Sequence, residues 1–265
     1  LRWSGWTRWR RPRQRSWDRP ITPRIEVFAE IDSTNAEARR RAEAGDVGPL
    51  WLTAERQTAG RGRRGRAWET GHGRNLAATL LLVTSRPPAE AAQISFVAAL
   101  AVADMAAAFV PASLISLKWP NDPMIAGRKA SGILIESGPA PAGGLWLAVG
   151  IGVNLAEAPV AAERPATTLA AHMAGPPPAP LAALQALSEA FVLWMDVWER
   201  VGFDAIARAW TQRAFGLGET CQARLGAETL SGIAEGLDTD GALRLRLSDG
   251  SLRRITAGDV FFGES

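Results

Sequence analysis

At 265 residues, 47% apolar and 22% charged, the chain suits one catalytic domain plus a small appendix, long enough to bury a core. A single cysteine, Cys221, excludes an internal disulfide and fits a cytoplasmic location, and no apolar run has the length to span a membrane because Ser95 and Asp104 interrupt the richest stretch. The net charge of +3 is uneven: eight arginines against Asp18 give residues 1–24 a charge of +7, so the other 241 residues carry −4, and the basic balance does not describe the folded part.

The first 24 residues carry Trp3, Trp6, Trp9 and Trp17 among the arginines, with no apolar segment after them to make a secretory signal. Such a mixture can stack on and neutralise a single nucleic-acid strand. The plainer readings, which composition favours, are a disordered extension or a start placed too far upstream. A strand begins over 25–28. Ser33-Thr34-Asn35 then precedes a helix over 36–44, with Thr34 and Glu37 as a capping box, Glu37 and Arg41 as an i,i+4 pair, and Gly45 as the stop. A strand over 50–54 leads into a loop over 57–66. Residues 75–83 read as a buried strand and about 89–109 as one long helix. Segments 114–119 and 131–136 read as strands flanking a turn at 120–127, and 145–155 as a further strand. After the prolines of 176–180 comes a helix with Leu181, Leu184, Leu187, Phe191, Trp194 and Trp198 on one face, then a shorter one over about 203–214. From Gly218 the pattern shifts to short alternating segments (220–225, 230–236, 243–247, 252–255) parted by Asp240-Gly241 and Asp249-Gly250. This is the signature of hairpins in a small barrel-like β domain.

Two biases single out residues for chemistry. Only Lys118 and Lys129 among 30 basic residues are lysine, and asparagine occurs only at 35, 75, 121 and 154. In a chain so rich in arginine and alanine, the survivors mark positions where the chemistry is specific, since a guanidinium does not mimic a compact ammonium. Gly60-Arg61-Gly62-Arg63-Arg64-Gly65 matches G-x-G-x-x-G, but a poor helix opening follows it and no acid stands about 20 residues on. A dinucleotide fold is therefore excluded, and no Walker A sequence exists. What remains is a flexible loop presenting Arg61, Arg63, Arg64 and Arg66 as an anion clamp, with a solvated basic loop as the alternative. Trp119-Pro120-Asn121-Asp122, followed by Gly127-Arg128-Lys129, marks a place where a cation and a carboxylate converge. Gly150-Ile151-Gly152-Val153-Asn154 is too glycine-rich for packing alone, so something flat should lie against it. Ser33 and Asn35 have capping as their plain alternative, and Thr34 reads as a cap. His72 and His172 lack ligand spacing, which argues against zinc.

In order and spacing, these segments resemble the biotin protein ligases. The matching runs are Ser33-Thr34-Asn35, Gln57 with the loop from Ala59 to Trp68, Asn75-Leu76, Lys118 to Asp122, Gly127-Arg128-Lys129 with Gly132-Ile133-Leu134, and Gly150 to Asn154. The resemblance spans 25 to about 215, and the β appendix is similar to that family's C-terminal domain. It implies an α/β fold with a mixed sheet and flanking helices, related to the class II aminoacyl-tRNA synthetases, plus an SH3-like β-barrel. The expected layout is a tail over 1–24, a catalytic domain over 25–215 and the appendix over 216–265. It further implies that ATP activates biotin to biotinyl-5′-AMP, which then passes to a lysine of a biotin carboxyl carrier protein, with Mg²⁺ as cofactor. Ser33, Thr34, Asn35, Gln57, Arg61, Gly62, Arg63, Lys129 and Gly132 would hold biotin. Arg63, Arg66, Asn121, Asp122, Lys129 and Asn154 would hold ATP. Lys129 and Arg63 would be catalytic, and Asp122 would ligate the metal. The chemistry suits these residues: attack of a carboxylate on an α-phosphate brings anions together and needs fixed cations. Ala130-Ser131 and Pro123-Met124 depart mildly from the family pattern. No helix-turn-helix precedes residue 25, so a form without a DNA-binding repressor domain is expected, as a cytoplasmic monomer or homodimer with no membrane partner. Attachment of lipoate or octanoate by a related ligase or transferase is the nearest rival, and nucleic-acid binding through the tail is the distant one.

Overall fold

The computed structural model describes residues 23–68, 73–159, 165–226 and 228–263, so the arginine–tryptophan tail up to residue 22 lies outside the described residues. In chain order the elements begin with β1 (Arg24–Ile31), α1 (Thr34–Glu43), β2 (Leu50–Gln57), β3 (Leu76–Thr84), α2 (Pro88–Ala91) and α3 (Ile94–Ala107). There follow β4 (Ile115–Lys118), β5 (Asp122–Ile125), β6 (Arg128–Lys129), β7 (Ser131–Pro139) and β8 (Leu145–Val153). Helices α4 (Pro180–Arg200) and α5 (Phe203–Thr211) close the catalytic part. Strands β9 (Thr220–Arg224), β10 (Thr229–Leu237), β11 (Leu243–Leu247), β12 (Leu252–Ile255) and β13 (Asp259–Phe262) form the appendix.

The main sheet runs β1-β2-β3-β8-β7. Its β1/β2 pair is parallel and the rest are antiparallel, which makes it the mixed sheet expected. Strands β4, β5 and β6 form a small second sheet. The appendix is a five-stranded antiparallel sheet in the order β12-β11-β10-β9-β13. The sheet has β12 and β13 as its two edges, so the SH3-like barrel remains an expectation, and the fifth strand, β13, was not foreseen.

Several local expectations are corrected. The cap of α1 is Ser33, whose side chain accepts from Ala36 N; Thr34 is the first helical residue and its hydroxyl turns toward Gln57, so the capping box does not form. The i,i+4 pair Glu37–Arg41 is present at 2.7 Å. The long helix is interrupted at Ala92-Gln93, which separates α2 from α3. Residues 122–125, placed within the expected turn at 120–127, form strand β5, so the chain reverses twice there, at 119–121 and at Ala126-Gly127. By length and composition alone, Pro88–Ala107 and Pro180–Arg200 could cross a membrane, contrary to the reading that no stretch is long enough.

The packing explains those two apolar stretches. Helix α3 is buried along nearly its whole length, from Phe96 to Ala106, and its alanines let it sit close between the sheet and α4. Trp51, Phe191, Trp198 and Trp210 are the largest fully buried side chains around it. One continuous apolar cluster runs from Leu76 and Val149 of the main sheet through α3 and α5 into Ala223, Leu243 and Val260 of the appendix. The appendix therefore shares the catalytic core.

Polar contacts fix this joint. Trp119 Nε1 donates to Gly241 O at 3.0 Å, and both residues are buried. Gly241 has φ +93°, and a β-carbon there would lie 2.8 Å from the Phe96 ring, so its hairpin turn can close only on glycine. Trp119→Phe is expected to strand that carbonyl and cost about 1–3 kcal/mol. A urea midpoint indistinguishable from wild type would remove the bond from the account of the joint.

Candidate active site

All the side chains singled out for substrate contact face a single cavity of about 480 Å³. Four parts of the fold supply it: the entry to α1 and the end of β2, the arginine loop, the β5–β6 hairpin with the start of β7, and the end of β8. The size suits a small organic ligand.

One end is a buried polar floor. Thr34 N donates to Gln57 Oε1 at 2.8 Å, and Thr34 Oγ1 lies 3.1 Å from the same oxygen. Thr79, fully buried on β3, donates to Asn35 Oδ1 at 2.6 Å, which orients that amide so that Nδ2 donates to Glu136 Oε2 at 2.8 Å. Before this turn, Arg40 forks onto Asp32 and holds its carboxyl well below the usual range, at about 2. The resulting carboxylate accepts from Ser33 N at 2.7 Å and pins the approach to α1.

The flat object on the glycine-rich strand is Trp68. A β-carbon on Gly152 would lie 2.1 Å from its indole, and one on Gly132 would lie 2.9 Å away, so both positions must stay bare for the ring to lie there. Over Gly150 the occupant is the Asn35 amide.

The arginine loop forms a tight turn. Gly62 N donates to Arg66 O at 2.7 Å, and Arg64 sits in the left-handed region at φ 56°. Its charges are anchored from the far end of the chain. Arg63 donates to Asn121 Oδ1 at 2.8 Å and to Gly258 O at 3.1 Å. Asp259, whose side chain is only 8% exposed, lies 3.8 Å from Arg63, 2.8 Å from Arg64 and 3.5 Å from Arg66. Arg61 turns the other way, to Glu136 at 3.2 Å. One carboxylate from β13 thus gathers three of the four guanidiniums. The arginines are partly exposed, so together these pairs contribute only about 1–2 kcal/mol to the loop's order. Asp259→Ala is expected to speed tryptic cleavage within 61–66 by roughly 5- to 30-fold at unchanged global stability. Cleavage at the wild-type rate would show that Asp259 does not hold the loop.

Opposite the polar floor stands the cationic end. Lys129 Nζ lies 2.6 Å from Asp122 Oδ1, and its side chain is 30% exposed against 7% for Asp122. Asn121 Nδ2 donates to Ile133 O, which fixes the oxygen that receives Arg63. Asn154 lines the cavity but donates its amide to Thr167 O at 3.1 Å. Asp122, expected to ligate Mg²⁺, is buried and paired with lysine. No cluster of three His, Cys, Asp or Glu forms among the described residues, so Asp122 is the one carboxylate this end of the site offers a metal, and any ion there would draw its other ligands from substrate phosphates.

Sequence reasoning missed Asp259, Glu136 and Thr79. None lies in a motif with a readable signal; distant strand pairing alone brings Asp259 into the cavity wall and sets Glu136 and Thr79 behind Asn35, which lines it. Trp68 was inside a recognised run, but its role was not.

Two family models match the chain: the Biotin/lipoate A/B protein ligase family over residues 27–155, and the Biotin protein ligase C terminal domain over residues 216–263. The chain is 45% identical to a biotin–[acetyl-CoA-carboxylase] ligase of Paracoccus denitrificans, over 89% of this chain and 100% of that protein. It is 33% identical to the enzyme of the same description from Mycobacterium tuberculosis, covering 89% of this chain and 88% of the relative. Among solved structures, the biotin protein ligase of Aquifex aeolicus in complex with biotin and ATP superposes with a TM-score of 0.75 at 26% identity, over 91% of this chain and 99% of that one.

Proposed function

The chain belongs to the biotin protein ligases, and from that premise we propose that its cavity joins biotin to ATP and passes the biotinyl group to a lysine of a biotin carboxyl carrier protein. The chain is an ATP-dependent biotin ligase. The observation that supports this division of the cavity is its polarity: a buried hydrogen-bonding floor at one end and an ammonium at the other. A ureido ring offers both donors and acceptors to the polar floor of Ser33, Thr34, Asn35 and Gln57, whereas the apolar end of lipoate or octanoate offers it no hydrogen bonds.

In the first step a biotin carboxylate oxygen attacks the α-phosphorus of ATP. The bond from that phosphorus to the bridging oxygen breaks, and pyrophosphate leaves. Lys129 neutralises the carboxylate and α-phosphate as they meet, with Arg61, Gly62 and Arg63 closing over the acid beside Gly132. Arg66, Asn121, Asp122 and Asn154 line the nucleotide side. Magnesium brought in with ATP would neutralise charge on the departing pyrophosphate. In the second step the neutral amine of the acceptor lysine attacks the acyl carbon, AMP leaves, and the amine's proton goes to solvent. Asp259 keeps the arginine loop seated so that water stays away from the mixed anhydride.

The test presents biotin, lipoate and octanoate separately with ATP and a purified biotin carboxyl carrier domain. Attachment of biotin alone is expected. Attachment of lipoate or octanoate at a comparable rate would contradict the assignment of the polar floor.

A further inference from the structure

Lys118 is one of only two lysines in the chain, yet it does not face the cavity and no step above uses it. It ends β4, directly across the hairpin from Asp122 at the start of β5. Its side chain is 8% exposed. Nζ lies 3.8 Å from Asp122 Oδ2 and donates to Val260 O at 3.3 Å, beside Asp259 on β13. Asp122 therefore has an ammonium near each oxygen: Lys129 on the cavity side and Lys118 on the buried side.

The two lysines are not equivalent. Lys129 must leave Asp122, at least in part, to reach a substrate carboxylate and α-phosphate. Were Lys129 the only ammonium here, its departure would leave a carboxylate that is 7% exposed as a buried, uncompensated charge, and the same attraction would hold Lys129 back from the substrate. A second, fixed cation removes that obstacle.

Resting on the adenylation reading above, we propose that Lys118 is a positioning residue for the reaction: it is the standing counter-ion of Asp122, which frees Lys129 to move onto the substrate.

The experiment is a double-mutant cycle of Lys118→Met and Asp122→Asn, read by biotin-dependent ATP–pyrophosphate exchange and by thermal melting. Methionine keeps the length of the stem and removes the charge. With Asp122 present, Lys118→Met is expected to lower kcat about 10-fold or more while the KM for biotin changes less than about threefold, since the binding floor is untouched. In the Asp122→Asn background, which has no carboxylate to balance, the same substitution should change kcat less than about threefold. The melt should follow: Lys118→Met lowers Tm, and adding Asp122→Asn restores most of the loss. Equal losses of kcat in the two backgrounds, no loss with Asp122 present, or a Tm that the second substitution does not restore would each overturn the proposal. Should Lys118→Met fail to fold, recovery of a folded double variant supports the pairing and its absence contradicts it. Wild-type protein lacking biotin-dependent exchange would instead remove the adenylation reading, and the melting comparison would still decide the pairing.

Discussion

Lys129→Arg is expected to lower biotin-dependent ATP–pyrophosphate exchange by about 100-fold or more while leaving the thermal melt near that of wild type. Lys129 Nζ occupies a narrow place, 2.6 Å from Asp122 Oδ1 and 3.5 Å from where a β-carbon of Gly132 would stand. An ammonium fits there as a point charge, and a broad planar guanidinium does not. The substitution keeps the charge, so any loss reports its position. Removing one fixed group that stabilises developing charge costs about 10²–10³ in rate. The residue is on a short strand and partly exposed, so the fold should tolerate the change. Exchange retained above about half the wild-type rate would end the assignment.

The second large effect is leakage of the intermediate from Arg63→Gly. Arg63 hangs between Asn121 Oδ1 and Gly258 O, with Asp259 at 3.8 Å, at the mouth of the loop that covers the cavity. Glycine removes a charge-assisted hydrogen bond to the adenylate phosphate, about 1.5–3 kcal/mol, and frees the loop from two of its anchors. At about 1.4 kcal/mol per tenfold, release of biotinyl-5′-AMP should speed up roughly 10- to 150-fold. An acyl-adenylate in solution reacts with any exposed amine, so an unrelated lysine-rich protein incubated with the variant, ATP and biotin should become labelled. Labelling no stronger than with wild type, at normal exchange rates, would show that Arg63 does not retain the intermediate.

What could be read before the fold was local chemistry. Scarcity marked two lysines and four asparagines; Lys129, Asn35, Asn121 and Asn154 line the cavity, while Lys118 and Asn75 do not. The glycines at 150 and 152 announced a close approach, although the occupants, Asn35 and Trp68, come from other segments. Thr34 was misread because a hydroxyl at the start of a helix fits a capping box, and here it turns away from the helix instead. The hydroxyl's partner, Gln57, lies 23 residues on and appears only when β2 pairs beside β1. Asp259 illustrates the harder limit. Its role depends on β13 pairing with β9 and on a shared core that seats the appendix against the loop, and no short-range pattern encodes either. Glycine and arginine dominate the loop, and its sequence names no partner for those charges. The charges that fold it down lie up to 195 residues away.

The central claim is that this cavity forms biotinyl-5′-AMP before any acceptor is engaged. ATP–pyrophosphate exchange by the full chain, measured with and without biotin and with no carrier protein present, tests it most directly. Exchange that appears only with biotin is the predicted result. Exchange that is absent with biotin, or equally fast without it, would contradict the account.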